Sequence, residues 1–189
     1  MKITFAPGAW ENRDLTYIYS WRFPELGKFQ QEADCIINKE TPGAAQPYDY
    51  VGLIVPETGH VGSKITARCS FEDLAAPMLV LADRNEVDEN GVFRTLDLYE
   101  VVIWRNGLNV WRLQTENRIV SHYLVMGATF PLEEGKIHTL SAEIQEKRLL
   151  IQVNDWKFDL YIPELADSFR MGYNACEGFC RLYEMEAQI

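Results

Sequence analysis

The alternation of apolar and polar residues between positions 138 and 161 constrains the fold more than any other feature of the chain. Two-residue turns at Glu146-Lys147 and Asn154-Asp155 would align successive strands so that their apolar residues share one face. These residues are Leu140, Ala142, Ile144, Leu149, Ile151, Val153, Trp156, Phe158 and Leu160. The opposite face is polar except for Leu150. The pattern predicts an antiparallel meander with one dry face and one solvent-exposed face.

A second hairpin, "YEVVIWRNGLNVWRLQ" at 99–114, breaks that rule because neither of its faces is polar. A type I′ turn at Asn106-Gly107 would place Trp104 opposite Asn109, Val102 opposite Trp111 and Glu100 opposite Leu113. The other face would carry residues 99, 101, 103, 105, 108, 110, 112 and 114, which are also largely apolar. Such a strand pair is either covered twice, or packs one face on the core and presents the other as a binding surface.

Further β-type segments follow one another along the chain with few helical signals between them, and turn-forming residues separate them. This spacing is typical of an all-β, two-sheet antiparallel sandwich. A chain of 189 residues with 47% hydrophobic content can fill one core. We therefore predict a single domain over residues 1–189.

The net charge of −10 disfavours a nucleic-acid partner, which would require clustered Lys and Arg to neutralise phosphates. A membrane partner is also disfavoured, because no apolar run reaches the length of about 18 residues that a spanning helix needs. The start "MKITFAPGAWENRD" lacks the apolar core of a secretion signal, which leads us to expect a cytoplasmic protein.

Metal and cofactor sites have weak sequence support. The four cysteines, Cys35, Cys69, Cys176 and Cys180, lack the ligand pairs of a zinc site and are expected to be reduced and buried. The acidic loop 83–90 could hold Ca²⁺, but its turn-forming composition favours a solvated turn. No dinucleotide, triphosphate, zincin or nucleophile-elbow motif is present, so we predict no cofactor and no metal.

Three segments taken in order resemble the concanavalin A-like lectin and glucanase superfamily, including laminin-G-like domains. They are "YEVVIWRNGLNVWR", "EEGKIHTLSAEIQEKRLLIQVNDWKFDL" and "FRMGYNACEGFCRLYEMEA". The resemblance implies a jelly roll with a convex sheet and a concave sheet, and relatives usually bind sugars on the concave side. It implies that the meander presents its polar side as the outer surface, while the 99–114 hairpin belongs to the sheet that forms the groove.

Catalytic carboxylates cannot be paired from the sequence. The glucanase branch of this fold carries an E-x-D-x-x-E strand, and that pattern is absent here. Asp97 and Glu100 point to opposite faces of an ideal strand. Glu184 and Glu186 share a face, but such a pair is more often a solvated rim than a catalytic dyad.

Sugar binding requires aromatic rings to cover the apolar face of the ring and planar polar groups to bridge hydroxyl pairs. The candidate ligand-binding residues are Arg68, Tyr99, Glu100, Trp104, Asn109, Trp111, Arg112, His122, Asn174 and Glu177. Each Trp could instead belong to the core. In that case Tyr99, Arg105 and Arg112 would face the groove.

These observations predict a lectin-like protein that binds a carbohydrate or a small polar ligand on a concave sheet face. Two alternatives remain open at this stage. One is a glycosidase-like hydrolase or lyase of sugar metabolism. The other is an oligomerisation or accessory subunit, in which another chain covers the second apolar face of the 99–114 hairpin.

Overall fold

The computed structural model describes residues 1–10, 15–22, 27–38 and 50–189. In these ranges the chain forms fifteen strands and no helix, so no described segment has the length and apolarity of a membrane-spanning helix. The strands form two sheets, and all pairings are antiparallel except a short parallel contact between β2 and β8 (Thr16–Ser20 and Phe93–Trp104). The predicted all-β two-sheet sandwich is confirmed.

The back sheet has the pairing order β13-β12-β11-β6-β15-β4-β3, and β1 also pairs with β15. Its strands are β1 (Lys2–Thr4), β3 (Gln30–Gln31), β4 (Ile36–Ile37), β6 (Lys64–Glu72), β11 (His138–Gln145), β12 (Arg148–Val153), β13 (Trp156–Tyr161) and β15 (Phe179–Gln188). Both chain ends meet here, because Ile3 of β1 lies opposite Met185 of β15.

The front sheet contains the remaining strands, and the pairing runs β10-β9-β8-β7-β14-β5-β2. The end of β2 then returns beside the start of β8, where Tyr19 and Ser20 pair with Arg94 and Thr95. Besides β2 and β8, these strands are β5 (Val51–His60), β7 (Ala76–Val87), β9 (Gly107–Glu116), β10 (Ile119–Thr129) and β14 (Ser168–Cys176).

The meander predicted at residues 138–161 is confirmed as β11, β12 and β13. Leu140 pairs with Val153, and Ile151 pairs with Phe158, in the predicted register. The apolar face of β11 and β12 is buried against the front sheet, whereas Trp156 on the outermost strand is 51% exposed and stacks on Phe130 with ring centroids 5.1 Å apart. A strand at the edge of a sheet has a neighbouring strand on one side only, so the Trp156 ring remains partly exposed to solvent.

The sequences of the two sheets follow different patterns, because the front sheet has buried apolar side chains on both of its faces. In β7, Leu79 and Leu81 pack in the core between the sheets, while Met78, Val80 and Ala82 belong to a second apolar cluster on the opposite face. A strand buried on both sides reads as a continuous apolar run instead of an alternation. This explains "PMLVLA" in β7 and the two-faced hairpin of β8 and β9.

The turn of the 99–114 hairpin lies one residue earlier than predicted. Trp104 pairs with Gly107, so Arg105 and Asn106 form the turn, and Val102 lies opposite Asn109 instead of Trp111. Gly107 has a φ of 142°, and a Cβ there would lie 1.9 Å from the carbonyl oxygen of Ala128 on β10. This glycine therefore serves the close approach of β10 and not a type I′ turn.

Candidate functional site

The 99–114 hairpin divides its two apolar faces between two environments. The face that packs between the sheets carries Tyr99, Val101, Ile103, Leu108 and Val110. The face directed away from the back sheet carries Glu100, Val102, Trp104, Asn109 and Trp111. Because the turn lies one residue earlier than predicted, each residue of β8 pairs two positions away from its predicted partner on β9. Residues two apart on a strand share a face, so the predicted grouping of side chains by face is retained.

Two adjoining hollows lie on this outer face of the front sheet, with volumes of about 320 Å³ and 400 Å³. They share Ala76, Val102, Trp111 and Glu177, and together they are termed the groove. The first hollow adds Glu100, His122, Arg22 and the apolar side chains of Met78 and Leu113, and the second adds Trp104, Arg105 and Asn109.

Aromatic rings stand along the groove at positions that the strand register fixes. Trp111 on β9 lies opposite Glu100 on β8, and it meets the His122 ring of β10 edge-on at a centroid distance of 5.9 Å. Trp104 lies at the end of β8 and lines the second hollow. Both indoles are partly exposed, so they offer ring surface to a ligand.

A buried hydrogen-bond chain holds the one carboxylate that β8 directs into the groove. Asn174 on β14 donates from Nδ2 to the hydroxyl of Tyr50, and Tyr50 donates to Oε1 of Glu100 at 2.7 Å. All three residues are buried. These hydrogen bonds fix one carboxylate oxygen of Glu100 at the floor of the groove, and the other carboxylate oxygen takes no part in them.

Burial raises the pKa of Glu100 above its ordinary value, and the Tyr50 hydrogen bond and the Arg22 charge only partly offset that effect. Burial, followed by the neighbouring Glu100 charge, also raises the pKa of Tyr50 well above its usual range. The Tyr50 hydroxyl is therefore protonated and donates its hydrogen bond at neutral pH. Of the three hydrogen-bonded side chains, Glu100 is the one that loses its proton first as the pH rises.

Gly52 makes room for this hydrogen-bond chain. It lies on β5 opposite Asn174, and a Cβ at that position would lie 1.7 Å from Oδ1 of Asn174. Since Asn174 has no exposed surface, it could not move away. The glycine in "YDYVGLIV" thus allows the Asn174 side chain to lie flat across β5 and reach Tyr50.

The structure does not bring Tyr99, Arg112 or Arg68 to the groove. Tyr99 is buried between the sheets, and the Arg112 guanidinium lies 4.6 Å from the centre of its ring. Asp83 binds that guanidinium through two hydrogen bonds of 2.7 and 2.8 Å. Arg68 lies on β6 of the back sheet, opposite Thr139. The sequence-based alternative in which Tyr99 and Arg112 face the groove is therefore not the arrangement found.

The remaining predicted residues gather on the groove face of the front sheet. Glu100, Trp104, Asn109, Trp111, His122 and Glu177 line the hollows, and Asn174 lies beneath them. Sequence reasoning missed Tyr50 and Arg22, which come from the N-terminal part of the chain. Tyr50 precedes a continuous apolar run, and such a run does not reveal which face a residue occupies.

The carboxylates considered for catalysis are dispersed. Glu184 and Glu186 lie on β15 of the back sheet, and Glu184 pairs with Lys2 at 3.0 Å. Asp97 is held by two 2.9 Å hydrogen bonds from Arg84. Among the described residues of β8, only Glu100 places a carboxylate on the groove face, so this strand does not supply the carboxylate pair of a retaining glycosidase.

The acidic loop at 83–90 is organised by its own chain. Asp88 accepts hydrogen bonds from the backbone of Asn90 and Val92 and binds Arg94 at 2.7 Å. This is the arrangement of a structural turn, as its composition predicted. In the part of the chain that the structure covers, no three His, Cys, Asp or Glu side chains come together as a metal site. The four cysteines are free and buried, as predicted.

No protein-family model and no curated protein matches this chain. Solved structures do match. The carbohydrate-binding module CBM66 from Bacillus subtilis has a TM-score of 0.66 at 11% identity, over 93% of this chain and 96% of that one. A β-1,3-glucanase from Mycobacterium marinum has a TM-score of 0.61 at 13% identity, over 100% and 97%. A glycoside hydrolase family 16 endo-glucanase from Bacteroides ovatus has a TM-score of 0.57 at 12% identity, over 100% and 94%. Identities this low show a shared fold, and the predicted concanavalin A-like jelly roll is confirmed.

Proposed function

We propose that this chain, a concanavalin A-like jelly roll, binds a neutral oligosaccharide in the groove of its front sheet. One observation carries the proposal: the outer face of the 99–114 hairpin joins two partly exposed indoles and a buried, hydrogen-bonded carboxylate in one hollow surface. Flat rings beside a fixed hydrogen-bond acceptor are the parts that a sugar site requires.

Each part has a distinct role in the proposed complex. Trp111 borders both hollows, so its ring covers the apolar face of a sugar at their junction, and Trp104 covers the next unit along. Glu100 accepts hydrogen bonds from a hydroxyl pair through its carboxylate. Asn109 and Glu177 supply further polar groups at the rim. The apolar floor formed by Val102 and its neighbours excludes water from these contacts.

The net charge of the chain and the buried carboxylate of Glu100 favour a neutral ligand over an acidic polysaccharide. The chain carries a net charge of −10, and the groove contains Glu100 and Glu177 as well as Arg22 and Arg105. An acidic sugar would be repelled during its approach and would bury its charge beside a carboxylate. The similar structures support sugar as the ligand class, because their names describe a carbohydrate-binding module and two glucanases.

Isothermal titration calorimetry with neutral oligosaccharides of two to five units tests the proposal. At least one of them is expected to bind to the groove without being cleaved, and binding to none would refute sugar recognition. An enzyme would instead release new reducing ends, with a rate that follows the ionisation of an acid and a base. Asp97, Glu184 and Glu186 do not join Glu100 in the groove, and this is the reason for preferring binding to catalysis.

The affinity of the groove is expected to fall as the pH falls through the raised pKa of Glu100. The charged carboxylate accepts hydrogen bonds from two hydroxyls, whereas the protonated form loses part of that capacity. In the Glu100→Gln variant, which keeps the acceptor for Tyr50 but does not titrate, the affinity should be lower and independent of pH over the same range. Calorimetry at several pH values with one oligosaccharide measures both effects.

The unfolding of the free protein provides a control for that experiment. Since the pKa of Glu100 is higher in the folded chain than in the unfolded chain, its contribution to stability is present at low pH and is lost as the pH rises. The melting temperature of Glu100→Gln should therefore rise relative to that of the wild type as the pH increases. A melting difference that does not change with pH would show that Glu100 is not the titrating group.

A further inference from the structure

Strand β10 forms an outer edge of the front sheet. It pairs with β9 on one side, and none of the strands in the described ranges pairs with its other side. No residue of β10 is buried, and Ile119, Tyr123 and Leu124 are 70%, 55% and 53% exposed. A row of open backbone groups flanked by exposed apolar side chains is a template for another strand.

The sequence of this edge lacks the usual protection against pairing. The strand reads "IVSHYLVMGAT", with no Asp, Glu, Lys, Arg or Pro. The edge strand of the back sheet, β13, carries Lys157 and Asp159, ends shortly before Pro163, and has an Arg148–Asp159 ion pair at its surface. Charges and proline are common devices that keep edges from pairing. The back sheet uses both, and β10 uses neither.

We propose that β10 pairs with β10 of a second copy of this chain, through the regular segment Ile119–Leu124 that precedes a bulge at Val125. Two copies of the same strand can pair antiparallel about a two-fold axis, so the same edge serves as the interface on both chains. The segment extends about 20 Å, which allows a ladder of ordinary length. Two chains of charge −10 repel each other, and β10 adds no charged side chain to that repulsion.

This geometry fixes how the two grooves are related. The two-fold axis of an antiparallel strand pair stands perpendicular to the sheet, so both outer faces open on the same side. His122 and Leu124 lie opposite Leu113 and Trp111, on the groove face of β10. The dimer would therefore present two grooves side by side, which would increase the avidity for a polymer. This consequence rests on the proposed sugar binding, whereas the dimer does not.

Sedimentation equilibrium of the full chain at several concentrations tests the dimer. The wild type should approach twice the mass of one 21.8 kDa chain. Tyr123→Lys places a charge in the paired segment on the face opposite the groove, and a charge on an edge strand opposes pairing. We expect it to raise the dimer dissociation constant about tenfold or more. Because Tyr123 is exposed, the melting temperature should remain close to that of the wild type.

Tyr161→Lys is the matched control, because Tyr161 is 58% exposed on the edge strand of the back sheet. It should dimerise as the wild type does. A wild type that is monomeric at all concentrations would overturn the proposal, as would a dimer that survives Tyr123→Lys or one that Tyr161→Lys disrupts. Amide hydrogen exchange separates this result from sugar binding. The alternate N–H groups of residues 119–124 that point away from β9 should become protected with increasing protein concentration in the absence of any sugar.

Discussion

Replacing Trp111 with alanine is expected to lower the affinity for the bound oligosaccharide by about 30-fold or more. Trp111 borders both hollows of the groove, and its ring lies between Glu100 on the next strand and the ring of His122. An anchoring ring at the centre of a contact surface typically contributes about 2 kcal/mol or more to binding. Calorimetry with the oligosaccharide that binds the wild type measures the loss.

Trp156→Ala is the control for this variant. Trp156 is 51% exposed and could therefore stack on a ligand, but it lies on β13 of the back sheet and stacks on Phe130. Its removal should leave the affinity unchanged. Equal losses in both variants would show that general destabilisation explains the effect, and an unchanged affinity in Trp111→Ala would remove Trp111 from the binding surface.

Gly172→Ala is expected to destabilise the centre of the front sheet strongly. Gly172 lies on β14, which pairs with β5 on one side and β7 on the other. A Cβ there would lie 2.2 Å from the carbonyl oxygen of Leu53 and 3.0 Å from the Cα of Ile54. Both contacts are with backbone, so they can be relieved only by separating the strands. We expect the free energy of unfolding to fall by about 3 kcal/mol.

Gly127→Ala is the comparison in the same sheet. A Cβ at Gly127 would lie 3.3 Å from Oδ1 of Asn109, at the end of a side chain that is not buried. That side chain can turn aside, so urea unfolding should show a change within about 0.5 kcal/mol. Similar stability of the two alanine variants would mean that β5 and β14 are not packed as closely as described. The closeness at Gly172 serves strand packing and not the approach of a ligand.

The sequence predicted the strand register of the meander because its alternation and its turns agreed. Residues 140, 142 and 144 could pair with 153, 151 and 149 only if the turn at Glu146-Lys147 had two residues, and a slip by one position would have exposed the apolar face. The 99–114 hairpin had no such constraint. With two apolar faces, its turn could be misplaced by one residue without moving any side chain to the wrong face.

The same ambiguity limited prediction of the groove. Tyr99 and Glu100 are neighbours on β8 and therefore face opposite sides, but the sequence did not reveal which side was the core. Arg112 is predicted from the sequence as a ligand-binding residue, but Asp83, on another strand, holds its guanidinium in an ion pair. The chain from Asn174 through Tyr50 to Glu100 joins residues that are far apart along the sequence, and no local pattern records such a contact.

The back sheet offers an alternative location for a ligand. Its outer face has a hollow of about 310 Å³ lined by Leu150 and by charged side chains that include Lys64, Glu143 and Lys157. This is the polar side of the meander, with Leu150 as the predicted exception. The mixed charges and the lack of an indole make it a poorer sugar site than the groove.

Chemical-shift mapping decides between the two sheets most directly. In a ¹⁵N-labelled chain titrated with the oligosaccharide that binds in calorimetry, the largest shifts should come from the indole N–H groups of Trp104 and Trp111 and the backbone amides of Glu100 and Val102. The amides of Leu150 and Gln152 should not move. Shifts concentrated on the outer face of the back sheet, with those two indoles unchanged, would contradict the assignment of the groove as the binding site.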